Sequence, residues 1–349
     1  MSIVAETYRF VVGVDTHAAH HSYAIIAAPT GAAIDQARFP VTPAGLDRAV
    51  SWVARRTGGE RDEVLIAAEG TGSYGATMTE KFTHAGYRVT EAPTPSTARL
   101  RGTGKTDELD ALTAARSSLA MATSQLRDAR AHGTRAALQT LTSLRDLLND
   151  QRLALINALT ALVRGHSLGI DARRALTRTH IRQIASWRTR DEAPHLALIR
   201  ATATRHAQAI LDLETELTHN RTQISQIVTR QAPELLHLHG VGPITAAVVL
   251  TVWSHPGRIR SEAAMAAIAG TSPIPASSGN TSRHRLNRGG DRKLNRAINT
   301  IVLTRWRSYP ETQAYIKRRR QDGKPDRDIR RCLRRYTTRQ LWRTLNTHT

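Results

Sequence analysis

YRFVVGV at residues 8–14 and VLIAAEG at residues 64–70 decide the fold of the N-terminal third. Each is a short β-branched and apolar run, the first stopping at Asp15 and the second reaching Glu69. Runs of this length and composition read as strands. Working outward, SYAIIAA at 22–28 is a second such run with Gly31 in the turn that follows it, so it pairs with 8–14 as a β-hairpin. TPAGLDRAVSWVARR has helical spacing, YGATMTEKFTHAG is a helix closed by Gly86, and YRVTEA is a short strand after it. Strands alternating with helices predict an α/β domain over residues 1–124.

From about residue 125 to 230 the period changes. Leu141, Leu148, Leu155 and Leu162 stand at heptad spacing, and Ile210, Leu217 and Ile224 repeat it. The two stretches predict long helices that pair as an antiparallel coiled coil or join subunits; an ordinary helical core accounts for the same spacing. A third, mostly helical region is expected over 231–349. It opens with LLHLHGVGPITAAVVLTVW, where Gly240 to Pro243 divides two helical segments. That turn reads either as a helix-hairpin-helix whose amides hold a phosphate or as a plain interhelical turn.

Charge narrows the function classes. The 349 residues carry 50 Lys+Arg against 29 Asp+Glu, a formal net charge of +21, and a chain this basic is expected to sit on a polyanion. Residues 281–349 alone hold 20 of those bases and 5 of the acids. Runs such as Lys317-Arg318-Arg319-Arg320 and Arg330-Arg331 alternate with Ile316, Ile329, Leu333, Trp342 and Leu345, a pattern of basic helices with an apolar face. An aromatic content of 4% turns the expectation toward phosphate contacts rather than base-stacking platforms. No apolar run of membrane-spanning length and no signal core is found, so the expected setting is cytoplasmic. The preponderance of Arg over Lys suggests a GC-rich bacterial genome. Cys332, the one cysteine, allows neither an internal disulfide nor a Cys-rich zinc site and is expected to serve packing. GTGKTD at 102–107 lacks the first glycine of a phosphate-binding loop, Arg99 standing in its place, so no ATPase is inferred.

Four acids stand out by position: Asp15 and Glu69 at strand ends, and Asp107 with Asp110 at a helix start. Three-residue spacing puts the last two on one helix face, and strand-end acids in an α/β fold border the crevice at the sheet's carboxyl edge. Converging carboxylates need cations among them, and oxygen ligands favour Mg²⁺ or Mn²⁺. Taken singly, Asp107 reads as a helix-start acid, Asp15 as a strand end and Asp110 as a surface charge.

Together GVDTH, AAEGTGSYG and KTDELDA, in that order, resemble the motifs of the DEDD transposases of the insertion sequence 110 family. The resemblance runs on through GVGPITAAVVL, AAMAAIAGTSPIPASSGN and RHRLNRGGDRKLNRAI, and covers nearly the whole chain. It implies an RNase H-like (RuvC-like) N-terminal domain at 1–124, a helical coiled-coil middle at 125–230, and a C-terminal transposase domain at 231–349. It also implies that Asp15, Glu69, Asp107 and Asp110 hold Mg²⁺ or Mn²⁺ and that a serine attacks a DNA phosphate to form a covalent phosphoserine link. Ser278, before Gly279, matches that serine, with Ser277 as the competing choice. A flexible turn is the plain reading of such a tripeptide taken alone.

Serine needs a base or metal to draw off its proton and positive charge to stabilise the transition state. Arg283, Arg285, Arg288, Arg292, Lys293, Arg296, Lys317, Arg318 and Arg319 are the expected nucleic-acid contacts. The partners implied by the resemblance are donor and target DNA, a structured noncoding guide (bridge) RNA, and further copies of the chain in a homo-dimer or homo-tetramer. Two departures are visible: DTHAAH, where a Lys often follows the His, and Gly289-Gly290 in the basic helix. His17 has access to the metals, but with His20 and His21 it reads as a solvated loop, and zinc is not expected. The alternatives are a junction-resolving nuclease that uses water as nucleophile and an inactive nucleic-acid-binding protein.

Overall fold

The computed structural model describes residues 2–93, 106–130, 133–275, 284–285, 287 and 289–347. They form two units: Met1–His132 with Ser254–Arg260, and Gly133–Trp253 with Ser261–Thr349.

The first unit is α/β. A single turn α1 (Val4–Thr7) leads to β1 (Phe10–Thr16), β2 (His20–Ala27) and β3 (Ala33–Pro40). Helix α2 (Pro43–Arg56), β4 (Val64–Ala68), α3 (Ala76–His84), β5 (Arg88–Glu91) and α4 (Asp107–Ser118) follow. The five-stranded sheet has the order β3-β2-β1-β4-β5. Strands β1, β4 and β5 run parallel, while β2 is antiparallel to β1 and to β3.

Strand alternation sorts the side chains into two cores. Val12, Val14, Tyr23, Ile25 and Ile66 pack with Leu46, Val53, Met78 and Phe82 of α2 and α3. Val11, Ile26, Leu65 and Ala67 pack on the other face with Ala115 of α4 and Val4 of α1. Thr42 caps α2, its hydroxyl accepting from the Gly45 N–H, and Gly86 ends the α3 turn at φ +91°.

Gly13 sets the spacing on the α4 face. A Cβ there would lie 1.9 Å from the Ala111 carbonyl oxygen and 2.6 Å from the Ala115 nitrogen. Only a residue without a side chain lets α4 lie this close to β1.

Two segments differ from the sequence reading. AIDQARFP forms β3, although its residues are mostly exposed or half-buried; an edge strand has no second apolar face to advertise. His20 and His21 belong to β2, not to a solvated loop, and His21 is fully buried.

The second unit is helical. Helices α5 (Thr134–Gly165) and α7 (Pro194–Gln231) pack antiparallel, with α6 (Arg178–Ala185) between them in sequence. Arg152 meets Glu214 at 2.9 Å, and the Asn220 amide donates to the Leu141 carbonyl at 2.9 Å. Of the heptad positions, Leu148, Ile210 and Ile224 are buried, and Leu141, Leu155, Leu162 and Leu217 are half-buried. A buried Asn in such a seam fixes its register.

Short α8 (Pro233–Leu236) and apolar α9 (Pro243–Trp253) follow, then α10 (Glu262–Ile268), the small ladder of β6 (Ile274–Pro275) and β7 (His284–Arg285), α11 (Arg292–Ser308), α12 (Pro310–Gln321) and α13 (Asp326–Asn346). Val302, Ile316, Ile329 and Leu333 form the apolar seam of the last three helices. In the turn before α9 the Val241 and Gly242 amides already donate to Leu238 O and Thr245 Oγ1, which fits the plain interhelical turn. No helix of the described residues is long and apolar enough to cross a membrane.

Candidate metal centre

Asp15 is the sixth residue of β1 and faces the α4 side, because it is two residues beyond Gly13. Across the antiparallel pairs its register partner is Ser22, and that of Ser22 is Arg38 on β3. In the parallel direction the Glu69 N–H donates to the Val14 carbonyl at 3.0 Å, which seats Glu69 beside Asp15 at the carboxyl edge of the sheet. The Glu69 carbonyl accepts from Thr16 Oγ1 at 3.0 Å. Gly70, at φ +59°, turns the chain away at once.

Helix α4 brings the other two acids. Thr106 caps it by accepting from the Leu109 N–H, and Asp107 and Asp110 occupy its first turn, where carboxylates are favoured by the helix dipole. The close β1–α4 approach at Gly13 carries this helix start to the sheet edge.

There Asp15 and Asp107 meet through His17. Its Nε2 lies 2.9 Å from Asp15 Oδ2 and 3.4 Å from Asp107 Oδ1. These three side chains offer ligand atoms that all lie within 4.8 Å of one another. Asp15 is buried and Asp107 half-buried, while His17 is half-exposed, so the group opens to solvent on one side. Arg38 approaches Asp107 at 3.9 Å.

Of the four acids singled out in the sequence, Asp15 and Asp107 are brought together, whereas Glu69 and Asp110 are not in this set. His17, weighed in the sequence chiefly as a loop residue, is inside it. The signal for it was present: Asp15 and His17 are two apart on an extended strand end, so both project to one side.

Below the group, His21 Nδ1 accepts from the His17 N–H at 3.3 Å, and its Nε2 is buried with no hydrogen-bond partner among the described residues. Burial, foremost, pushes its pKa below the usual histidine value. The neutral ring therefore acts as a fixed acceptor under the His17 backbone.

The donor set, two carboxylates and an imidazole with one solvent-facing side, fits a divalent cation. His17 Nε2 now lies between the carboxylates, where a cation would also find them. Asp15 and Asp107 are the oxygen donors such an ion would meet, with Glu69 and Asp110 within the same edge.

The second unit supplies the bases. Arg292, Lys293 and Arg296 are exposed on the first turns of α11, and Lys317 and Arg318 on α12. Lys293 is engaged with Asp146 at 2.7 Å, Arg319 with Asp322 at 2.9 Å, and Arg318 lies over the Tyr315 ring. Arg285 is placed only as a backbone position on β7. Ser277, Ser278, Arg283 and Arg288 lie outside the described residues.

A family model described as a transposase of the DEDD type, IS110, matches residues 12–167. A second, described as transposase IS116/IS110/IS902 family, matches residues 232–317. The first span holds all four acids and the second holds Ser278 with α11. No curated protein matches the chain.

Proposed function

The chain belongs to the IS110 family of DNA transposases, and from that premise we propose that it cuts and rejoins DNA through a metal site on Asp15, Glu69, Asp107 and Asp110, with Ser278 as nucleophile. The observation that carries the reading is the convergence of Asp15, His17 and Asp107 at the carboxyl edge of the sheet. The β3-β2-β1-β4-β5 order, with strand-end acids on the parallel β1 and β4, supports an RNase H-like assignment for residues 1–124.

Bound there, Mg²⁺ or Mn²⁺ would supply Lewis-acid stabilisation of charge on a phosphate oxygen. The protein's part is positioning. Asp15 is fixed by two flanking strands, Asp107 and Asp110 by the capped start of α4, and His17 bridges Asp15 and Asp107.

In the reaction, Ser278 Oγ attacks phosphorus as the bond from phosphorus to a deoxyribose oxygen breaks. The serine proton passes to a base and the leaving oxygen takes one up. The phosphoserine link conserves the phosphodiester, so a deoxyribose hydroxyl of another strand can displace the serine and rejoin the DNA. Arg283, Arg285 and Arg288 serve to stabilise the extra negative charge, and Arg292 and Arg296 to contact the nucleic acid.

Exposed arginines suit backbone binding, and the chain shows no recognisable base-reading motif. Both features support a guide RNA that chooses donor and target DNA by base pairing. The helical region 125–230, which includes most of α5 and α7, serves as a coiled-coil linker or joins subunits in a homo-dimer or homo-tetramer.

The test incubates protein, Mg²⁺, the flanking noncoding RNA and labelled donor DNA, and looks after denaturation for DNA attached to protein. An adduct present in the natural chain and lost in Ser278→Ala and Asp15→Ala is expected. Cleavage without an adduct, indifferent to Ser278→Ala but abolished in Asp15→Ala, overturns the serine reading in favour of water as nucleophile.

A further inference from the structure

The ladder of β6 and β7 roots the serine-bearing segment, since Ile274 pairs with Arg285 and Pro275 with His284. Just outside that ladder, Pro273 and Asn287 form part of the wall of a cavity of about 180 Å³ in the second unit. The rest comes chiefly from one face of α13: Arg331, Cys332, Arg334, Arg335 and Tyr336.

Its floor is preformed. A Cβ on Gly270 would lie 2.7 Å from Gly289 O, and one on Gly290 2.3 Å from Ile268 O, so the end of α10 and the start of α11 are locked backbone to backbone. The Asn295 amide donates to Ala269 O at 2.7 Å, and the hydroxyls of Thr271 and Thr338 meet at 3.0 Å.

The lining is mostly carbon, yet the arginines on it exceed the acids within reach. Arg331 meets Asp328 at 3.2 Å, but Arg335 is satisfied by the Glu262 carbonyl and Arg334 by the Asn299 side-chain oxygen, neither of which carries charge. Arg334 Nε is buried without an acceptor among the described residues. Burial first, then Arg330 and Arg331, push the Arg334 pKa below its ordinary value. Tyr336, 48% exposed, lines the same cavity, its ring meeting that of Tyr315 edge-on at 5.8 Å in a chain poor in aromatics.

A bare anion would leave the carbon wall unfilled, and a wholly apolar ligand would leave the guanidinium charge uncompensated. A nucleotide answers both. Ligand pockets of drug size begin at about 300 Å³, so this smaller space suits one base rather than a stacked pair. A base inside a duplex has both faces covered and must leave the stack to enter.

We propose that this cavity holds one unpaired nucleotide of the DNA strand being exchanged, its base against Tyr336 and Cys332 and its phosphate on the rim formed by Arg331 and Arg335. The proposal rests on the strand-exchange reading above for the identity of the strand, and it places a binding pocket at the root of the serine segment.

Cys332, the only cysteine, makes the pocket measurable without catalysis. The rate at which a small disulfide reagent modifies the full-length chain is followed alone, with a short single-stranded oligodeoxynucleotide, with the same sequence as a hairpin duplex, with the matching RNA, and with inorganic phosphate. Single-stranded DNA is expected to slow modification by about tenfold, the hairpin and phosphate to leave it unchanged. Tyr336→Ala, a substitution at an exposed ring, is expected to weaken single-strand affinity by about tenfold with an unaltered thermal melt.

Equal protection by the duplex, protection by RNA alone, no protection at all, or a thiol that fails to react in the free chain each overturns the pocket. Ser278→Ala separates the two readings. Protection retained in a chain that never forms a DNA adduct leaves the pocket standing and removes the serine. An adduct formed at full rate by Tyr336→Ala and by a natural chain without protection removes the pocket and leaves the serine.

Discussion

Both units pair bases with acids, but the helical unit also holds several arginines on uncharged acceptors. In the α/β unit the bases find acids: Arg56 with Asp35, Lys81 with Asp47, Arg88 with Asp128, and Arg258 with Glu91, all between 2.6 and 2.8 Å. Two carboxylates, Asp15 and Asp107, gather at the sheet edge, where they meet a histidine. In the helical unit, guanidinium groups turn repeatedly to uncharged acceptors. Arg145 donates to Leu217 O, Arg164 to Ala172 O, Arg305 to His239 O and Arg335 to Glu262 O, while Arg330 lies over the Trp306 ring. A carbonyl or a ring face fixes a guanidinium without cancelling its charge. The α/β unit thus brings two carboxylates and an imidazole to one point, and the helical unit carries most of the excess positive charge.

The largest expected effect breaks the carboxylate cluster. Gly13→Val must move α4 away from β1, because the added Cβ meets main-chain atoms that cannot rotate aside. A destabilisation of about 3 kcal/mol is expected in urea unfolding, at the upper end for overpacked cores. The displaced α4 should also take Asp107 from Asp15 and abolish Mn²⁺ binding followed by electron paramagnetic resonance. Gly13→Val that folds and binds Mn²⁺ normally would show that α4 is not positioned by this contact.

That dependence also explains which parts of the molecule were legible in the sequence. The strands β1, β2, β4 and β5 were readable because a buried strand needs a dense apolar run, and Asp15 and Glu69 because each lies where such a run stops. Asp107 and Asp110 were visible as helix-start acids. Strand β3 was not legible, since AIDQARFP serves as an edge and keeps polar residues on it. The place of His17 depends on Asp107, which reaches it only through the Gly13 contact, a tertiary fact that no local pattern carries. The pocket on α13 was equally hidden, because Pro273, Asn287 and Tyr336 come together from three separate segments.

A second substitution tests the other side of the comparison. Arg305 is buried on α11, donating through Nε to His239 O at 2.7 Å and through Nη1 to Gln340 Oε1 at 2.8 Å. Desolvation lowers its pKa, with Tyr309 and Glu311 opposing it more weakly. If uncharged acceptors hold these helices together, Arg305→Ala removes a buried side chain and both of its hydrogen bonds, to acceptors on the exposed residues His239 and Gln340, and costs about 2 kcal/mol in urea unfolding. A cost under about 0.5 kcal/mol, the size of an ordinary surface change, would mean that the guanidinium contributes charge and not structure.

The smallest effect expected is pH-dependent and belongs to the α/β unit. Asp35 on β3 accepts from Arg56 Nε at 2.6 Å, from the Gln36 N–H at 2.8 Å and from Trp52 Nε1 at 3.2 Å. The Arg56 hydrogen bond, foremost, holds its pKa below the ordinary 3.8, burial opposing. The unfolded chain therefore takes up this proton before the folded one does. The stability Asp35 contributes is present above the ordinary carboxylate value and is lost as pH falls through the lower, folded value. Because the pair is largely solvated, its contribution should be no more than about 1 kcal/mol and should shrink in salt. The measurement is the difference in urea stability between the natural chain and Asp35→Asn at about pH 7 and again at about pH 3. A difference that narrows in acid makes β3 an edge held to α2 by an ionised carboxylate. A difference that stays constant would mean the hydrogen bonds to Asp35 matter and its charge does not, bringing this corner of the α/β unit closer to the way the helical unit holds its arginines.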